Sequence, residues 1–246
     1  MSISSLSDWF ETSSGRYLLA WEQAKFDAQV ADIFGYNALQ IGLPEQAFLR
    51  SSRMSHRFAS AVEGDAQILT QPYALPFASS SIDLVLLPHV LEFSRHPHQV
   101  LREVERVLVP EGSVIIAGFN PFSLFGLRRA LVRSAGECPW QGHYFSAMRI
   151  RDWLTLLGFE TQSGGFGVYA PPVRSDRWLE RWRFLDRAGQ RWWPICGGVY
   201  ILHGIKRVQG MRLITPKWRD NAADKKGLSP VTRRGRGVAG STHKAE

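Results

Sequence analysis

From Leu75 to Phe119 the chain switches between short, unbroken apolar runs and a segment patterned at helical spacing. Ile82-Asp83-Leu84-Val85-Leu86-Leu87 is apolar on almost every residue, the pattern of a parallel strand covered on both faces. From His98 to Val109, the residues Val100, Leu101, Val104, Val107 and Leu108 share one stripe, with Arg102, Glu103, Glu105 and Arg106 opposite them. This predicts a helix stopped by Pro110 and Gly112. Ser113 to Phe119 then reads as the next buried strand, and a strand, helix, strand sequence of this kind is a right-handed crossover.

The same reading extends in both directions. Ser7 to Val30 carries Trp9, Leu18, Leu19, Trp21, Phe26 and Val30 at roughly helical intervals and predicts an amphipathic leading helix. Asn37 to Gly42 predicts the first strand, Leu43 to Ser51 a helix after it, His56 to Ala61 a weak second strand and Gln67 to Thr70 a third. Between Ala61 and Gln67 there is no room for a crossover helix. Downstream, Asn120 to Arg133 reads as a helix, and Ser146 caps another that runs through Trp153 and Leu157 to Gly158. Phe159 to Tyr169 is a glycine-interrupted strand, and Gly198 to Ile205 is the last strand. Strands alternating with helices make this an α/β chain, a Rossmann-like doubly wound sheet, mostly parallel, with helices on both faces.

Composition narrows the picture. In 246 residues, 44% of them hydrophobic, there is material for one well-packed α/β domain and an appendage. The reading divides the chain into a helical lead (1–33), an α/β domain (34–214) and a basic tail (215–246). The net charge of +8 is uneven, because Pro216 to Glu246 holds eight Lys or Arg against three acids. That segment has little to fill a core and is expected to be a disordered tail, with weak charge attraction to nucleic acid or an anionic membrane as its possible contacts. No apolar stretch approaches the ~18 residues a membrane span needs, and no signal peptide is evident, so the expected location is the cytoplasm. Cys138 and Cys196 stand far apart with no second metal-ligand pair, which speaks against a zinc site and a disulfide framework. The stretch from Ser175 to Trp193 interleaves Trp178, Trp182, Trp192 and Trp193 with arginines. Docking of a helix on the sheet is the favoured reading there, beside a lid over the acceptor, an interfacial helix or an RNA surface.

In a doubly wound sheet the ligand lies beyond the carboxyl ends of the strands, where strand order reverses. The loops to inspect therefore begin at Gly42, Gln71, Pro88 and Asn120. Leu75-Pro76-Phe77, a strand with an internal Asp83, and the turn Arg106-Val107-Leu108-Val109-Pro110-Glu111-Gly112 together resemble the class I S-adenosylmethionine-dependent methyltransferases, in particular their type 11 group. The likeness runs from about Phe34 to Gly118 and more loosely to Val208.

The resemblance implies S-adenosyl-L-methionine as cofactor, an antiparallel last strand, and direct in-line methyl transfer to an acceptor, a small molecule or another substrate, that the sequence leaves unidentified. On this chain it implies cofactor contacts from Ile41, Gly42, Leu43, Gln71, Ala74, Leu75, Pro88 and His89. It places Asn120, His143 and Tyr144 on the substrate side, with His89 as a candidate proton acceptor. Departures from the family pattern are visible too. Gln40-Ile41-Gly42-Leu43-Pro44-Glu45 keeps one glycine where the family has several, and no carboxylate ends the second strand except Glu63 and Asp65, which read as turn residues. Gln71 stands where the family has an Asp. Asp83, inside a buried strand, is expected to bond neighbouring backbone. These departures keep an alternative in play, a methyltransferase-fold scaffold that binds RNA or protein without catalysis.

Overall fold

The computed structural model describes residues 4–131, 138–172, 176–182 and 184–208. Helices α1 (Ser4–Phe10) and α2 (Ser13–Val30) lead into β1 (Asn37–Ile41), β2 (His56–Ala61), β3 (Ile68–Leu69) and β4 (Ile82–Pro88). After β4 come α3 (Val90–Phe93), α4 (Pro97–Val107), β5 (Leu108–Phe119), α5 (Leu124–Leu131) and α6 (Ala147–Leu156). The chain continues through β6 (Phe159–Gly167), α7 (Asp176–Trp182), α8 (Phe184–Trp192), a short 3-10 turn (Pro194–Cys196) and β7 (Val199–Lys206). The basic segment from residue 209 onward lies outside the described residues.

The seven strands form one sheet in the order β3-β2-β1-β4-β5-β7-β6. The pairs from β3 through β5 are parallel, and β7 runs antiparallel to both β5 and β6. Strand order therefore reverses between β1 and β4, which fixes where the ligand-binding edge must be. Alternate residues of the central strands feed two separate cores. Leu39, Val85, Leu87, Val114 and Ile116 face α4 and α6, whereas Ala38, Leu84, Leu86, Ile115 and Ala117 pack with Leu18, Phe26 and Val30 of α2. Asp83, the polar residue in β4, accepts backbone N–H bonds from Tyr36 and Asn37, both at 2.9 Å, and so pins the entrance to β1 as the sequence implies.

Four expectations need correcting. No helix follows β1: Gly42 and Leu43 both take positive φ, at 82° and 48°, and the chain turns instead. The cause is Gln40. Its buried Nε2 donates to the carbonyls of Gly42, Leu43 and Gln46 at 3.2, 2.8 and 2.8 Å, and its Oε1 accepts from Phe48 N–H at 3.2 Å. Those carbonyls are the acceptors a helix would have used. Second, α4 ends at Val107 and β5 begins at Leu108, so Pro110 to Gly112 lie inside that strand, Pro110 and Glu111 exposed, Gly112 buried and Glu111 at φ 64°. Third, the leading segment is two helices, with Thr12 capping α2 by accepting from Gly15 N–H. Likewise the Trp/Arg-rich stretch is two helices. α7 rests on α2, and α8 is tied there by a bond from Tyr17 Oη to Asp186.

Candidate active site

A cavity of about 360 Å³ opens at the carboxyl edge of the parallel strands. Val62 and Glu63, just past β2, form one side, and Gln71, Pro72 and Tyr73, just past β3, form another. The far wall is Val90 and Phe93 of α3, with Ser94, Arg95 and His96 leading to α4. The size falls in the ~300–1,000 Å³ range of small-molecule sites. Its lining joins a carboxylate, an amide, hydroxyls and aromatic or aliphatic surface, the donor and acceptor set that an adenosine-containing ligand requires. Gln71, one of the cofactor contacts the resemblance implies, lines this cavity; Glu63, which reads as a turn residue in the sequence, lines it too, two positions beyond the last residue of β2.

The wall made by α3 is held by a buried charge cluster. His89 lies between β4 and α3 in the left-handed region, at φ 54° and ψ 20°, and its side chain is fully shielded from solvent. Its Nε2–H donates to Glu22 Oε1 of α2 at 2.7 Å, and its Nδ1–H to Glu92 Oε2 of α3 at 2.8 Å. The other oxygen of Glu92 accepts from the Phe119 N–H at the end of β5. Burial alone would hold the ring neutral, but the carboxylates of Glu22 and Glu92 outweigh it and push the imidazole pKa up to about 10. Glu22 Oε2 is buried and has no partner among the described residues. Around this cluster, the Phe119 ring lies 4.3 Å from His89 and 5.0 Å from Tyr144. A side chain at Gly118 would put its Cβ 2.6 Å from the Tyr200 hydroxyl, so that position has room only for glycine.

These positions correct several expectations. His89 is not a free proton acceptor, because both ring nitrogens are engaged with buried carboxylates, which favour the charged ring. It ties α2, β4 and α3 together instead. Ile41 and Leu43 turn their side chains into the two cores, and Gly42 gives its N–H to the Ser60 carbonyl at 2.7 Å, so none of the three lines the cavity. Leu75 is buried in the core, its N–H held by Glu103 at 2.9 Å and its carbonyl by Arg106 at 3.2 Å. Ala74 is exposed beside the cavity and its carbonyl accepts from the Thr70 hydroxyl at 2.7 Å. Pro88 is buried at the end of β4, in register with Ala117.

On the β5 side, Asn120 is a structural clamp. Its Nδ2 donates to the carbonyls of Ile195 and Gly197 at 2.7 and 2.9 Å, and its Oδ1 accepts from Phe122 N–H at 3.1 Å. Tyr144 is half-buried, and burial together with the nearby Glu92 carboxylate raises its phenol well above the usual range. His143 has an exposed side chain, while its N–H is held at 2.8 Å by the carbonyl of Glu92. Among the described residues no group of three or more His, Cys, Asp or Glu side chains is placed to hold a metal.

Comparison with known proteins agrees with this architecture. Residues 19–116 match the family model described as a methyltransferase domain. The uncharacterized protein YafS of Escherichia coli is 38% identical over 130 residues, covering 52% of this chain and 54% of that protein. A malonyl-[acyl-carrier protein] O-methyltransferase of Halorhodospira halophila is 40% identical over 58 residues, 24% of this chain and 20% of that one. The chain spans about half the length of the curated relatives it matches. A SAM-dependent methyltransferase from Archaeoglobus fulgidus superposes with a TM-score of 0.54 at 14% identity, covering 76% of this chain and 94% of its own. In family match and sheet order alike, residues 19–116 are similar to a methyltransferase domain, and the strands after them complete a sheet of the same architecture.

Proposed function

We propose that this protein is a cytoplasmic S-adenosylmethionine-dependent methyltransferase whose cofactor occupies the cavity between the ends of β2, β3 and β4. The cavity itself is the observation that carries the reading, since it lies on the side of the sheet where strand order reverses and is lined as an adenosine site would be. Bound there, the cofactor would supply an electrophilic methyl group on a sulfonium. Glu63 is the residue for the ribose hydroxyls, since a carboxylate accepts from both, and Gln71 offers its amide to the adenine edge. Val62, Val90 and Phe93 provide apolar wall. Glu22, His89 and Glu92 act as positioning residues that hold α3, while α5 and the His143–Tyr144 segment flank the side left for the acceptor.

Isothermal titration calorimetry of the full chain with S-adenosylmethionine tests this directly. Binding in the micromolar range is expected, and Glu63→Gln weakens it roughly tenfold, the scale of a hydrogen bond to a charged group. Because Glu63 is exposed, its thermal midpoint stays at the parent value. A folded sample that gives no heat with the cofactor would leave the scaffold reading in its place.

A further inference from the structure

Away from the cavity, the edge beyond the carboxyl end of β5 and the amino end of β7 presents apolar side chains to solvent. On α5, Leu124, Leu127 and Leu131 repeat at helical spacing on the outer face and are 44%, 56% and 78% exposed, whereas Phe125, on the inner face, is buried at 1%. Phe122, just before this helix, is 69% exposed, and Trp192, Trp193 and Ile195 of the α8 end and the following turn are 70%, 60% and 64% exposed. The two groups are joined through one buried side chain, that of Asn120. The side chain of Asn120 bonds the Ile195 carbonyl with its nitrogen and the Phe122 N–H with its oxygen. Monomeric proteins rarely leave such a cluster facing water without a use for it.

The segments that carry it are basic in sequence. Residues 121–131 and 184–196 contain four arginines and one acid, Asp186, and that acid is turned inward to the Tyr17 hydroxyl and the Tyr169 N–H. Arg129 is braced at the patch edge by the Gly142 carbonyl at 2.7 Å, and Arg128 by the Pro172 carbonyl with its guanidinium 4.8 Å from the Trp140 ring. A second copy docking the same face would set arginine against arginine, since a two-fold interface is self-complementary. Nucleic acid would meet the charge but gains nothing from an aliphatic stripe of leucines, which offers no stacking surface. A bilayer of anionic phospholipid satisfies both halves of the pattern, with phosphates for the guanidiniums and the interfacial zone for tryptophan, phenylalanine and leucine. Among the described residues no helix is long and apolar enough to cross a membrane, so contact of this kind is with its surface.

We propose that this face, built from α5 and the α8 end, docks the protein on an anionic membrane surface. Flotation of the full chain with phosphatidylcholine vesicles, with and without phosphatidylglycerol, is the test. Association is expected only with the anionic vesicles, and the double variant Leu127→Ser/Trp193→Ser loses it by roughly tenfold or more, as expected for withdrawing two large apolar side chains from the interface. Parental binding by that variant overturns the proposal, because charge outside the patch would then be sufficient. So does a chain that ignores both vesicles, or one that forms concentration-dependent dimers which the same two substitutions dissolve. Should the double variant fail to melt cooperatively, quenching of the wild-type tryptophan fluorescence by brominated phosphatidylglycerol decides instead, with unquenched emission counting against docking.

Discussion

β4 and β5 run for seven and twelve residues with six and nine of them buried, whereas β2 buries only its last two residues and β3 is two residues long. The sheet thus has a thick side, sandwiched by α2 on one face and α4 and α6 on the other, and a thin side where the crossovers after β1 and β2 are turns. The cavity proposed for the cofactor opens between the two, taking polar groups from the thin side and one wall, α3, from the thick one. Stability and recognition are in this way assigned to different strands: the first depends on buried apolar area and the second on a few polar groups at strand ends. Substitutions on either side of the β1–β4 boundary separate the two roles.

The largest effect is expected at His89. Replacing it with Leu leaves Glu22 and Glu92 facing each other in a dry interior, and removing one partner of a buried ionic cluster costs about 3–5 kcal/mol. Chemical denaturation measures this loss, and weakened cofactor binding accompanies it because α3 is no longer fixed. The same cluster sets a pH dependence. The folded pKa is raised to about 10 from the ordinary 6.5. The contribution of His89 is therefore complete below pH ~6.5, declines as the pH climbs, and is gone once it passes about 10. Thermal midpoints recorded from neutral to strongly alkaline pH should fall across that interval in the parent, and more shallowly in His89→Leu. Equal slopes in the two proteins would show that the imidazolium contributes nothing to folding.

Next in size is Gln40→Ala, on the thin side. It strips the Gly42, Leu43 and Gln46 carbonyls and the Phe48 N–H of their common partner, at a cost of about 1–3 kcal/mol for polar groups left buried. If the first loop only supports the fold, cofactor affinity measured by calorimetry stays near the parental value. A large loss of affinity would return Gly42 and its neighbours to the binding site.

The contrast between the sides also explains what the chain makes legible. Long apolar runs, the stripe of α4 and the Ser146 cap carry local signals strong enough to outweigh their surroundings, and the α/β fold and the bond from Asp83 to neighbouring backbone are found, as is the antiparallel last strand that the resemblance implies. The loop after β1 is not legible because one buried amide, that of Gln40, dictates its path, and no periodicity reports that. His89 was misread for a related reason. Its sequence neighbours place it at a strand end, where a proton acceptor is reasonable, but one of the two carboxylates that engage its ring is Glu22, sixty-seven residues away on α2. Glu63 was passed over because a two-residue extension beyond β2 looks like an ordinary turn until the end of β3 is brought beside it.

The smallest effect concerns the far side of the sheet and serves as the control for the rest. Ser146 caps α6 by accepting from Arg149 N–H at 3.3 Å, and α6 contributes Ile150 and Leu154 to the core opposite α2. Ser146→Ala removes one cap and should cost about 1 kcal/mol. The helix is not among the walls of the cavity, so calorimetry should give parental affinity for the cofactor even though the denaturation midpoint moves. If affinity fell in proportion to that small loss of stability, binding would be tracking global stability. The losses in Gln40→Ala and His89→Leu could then no longer be assigned to the first loop or to α3. If it does not fall, the thick side acts as a frame whose stability can be lowered without touching the site, and any change of affinity at Glu63 or Gln71 belongs to the thin side alone.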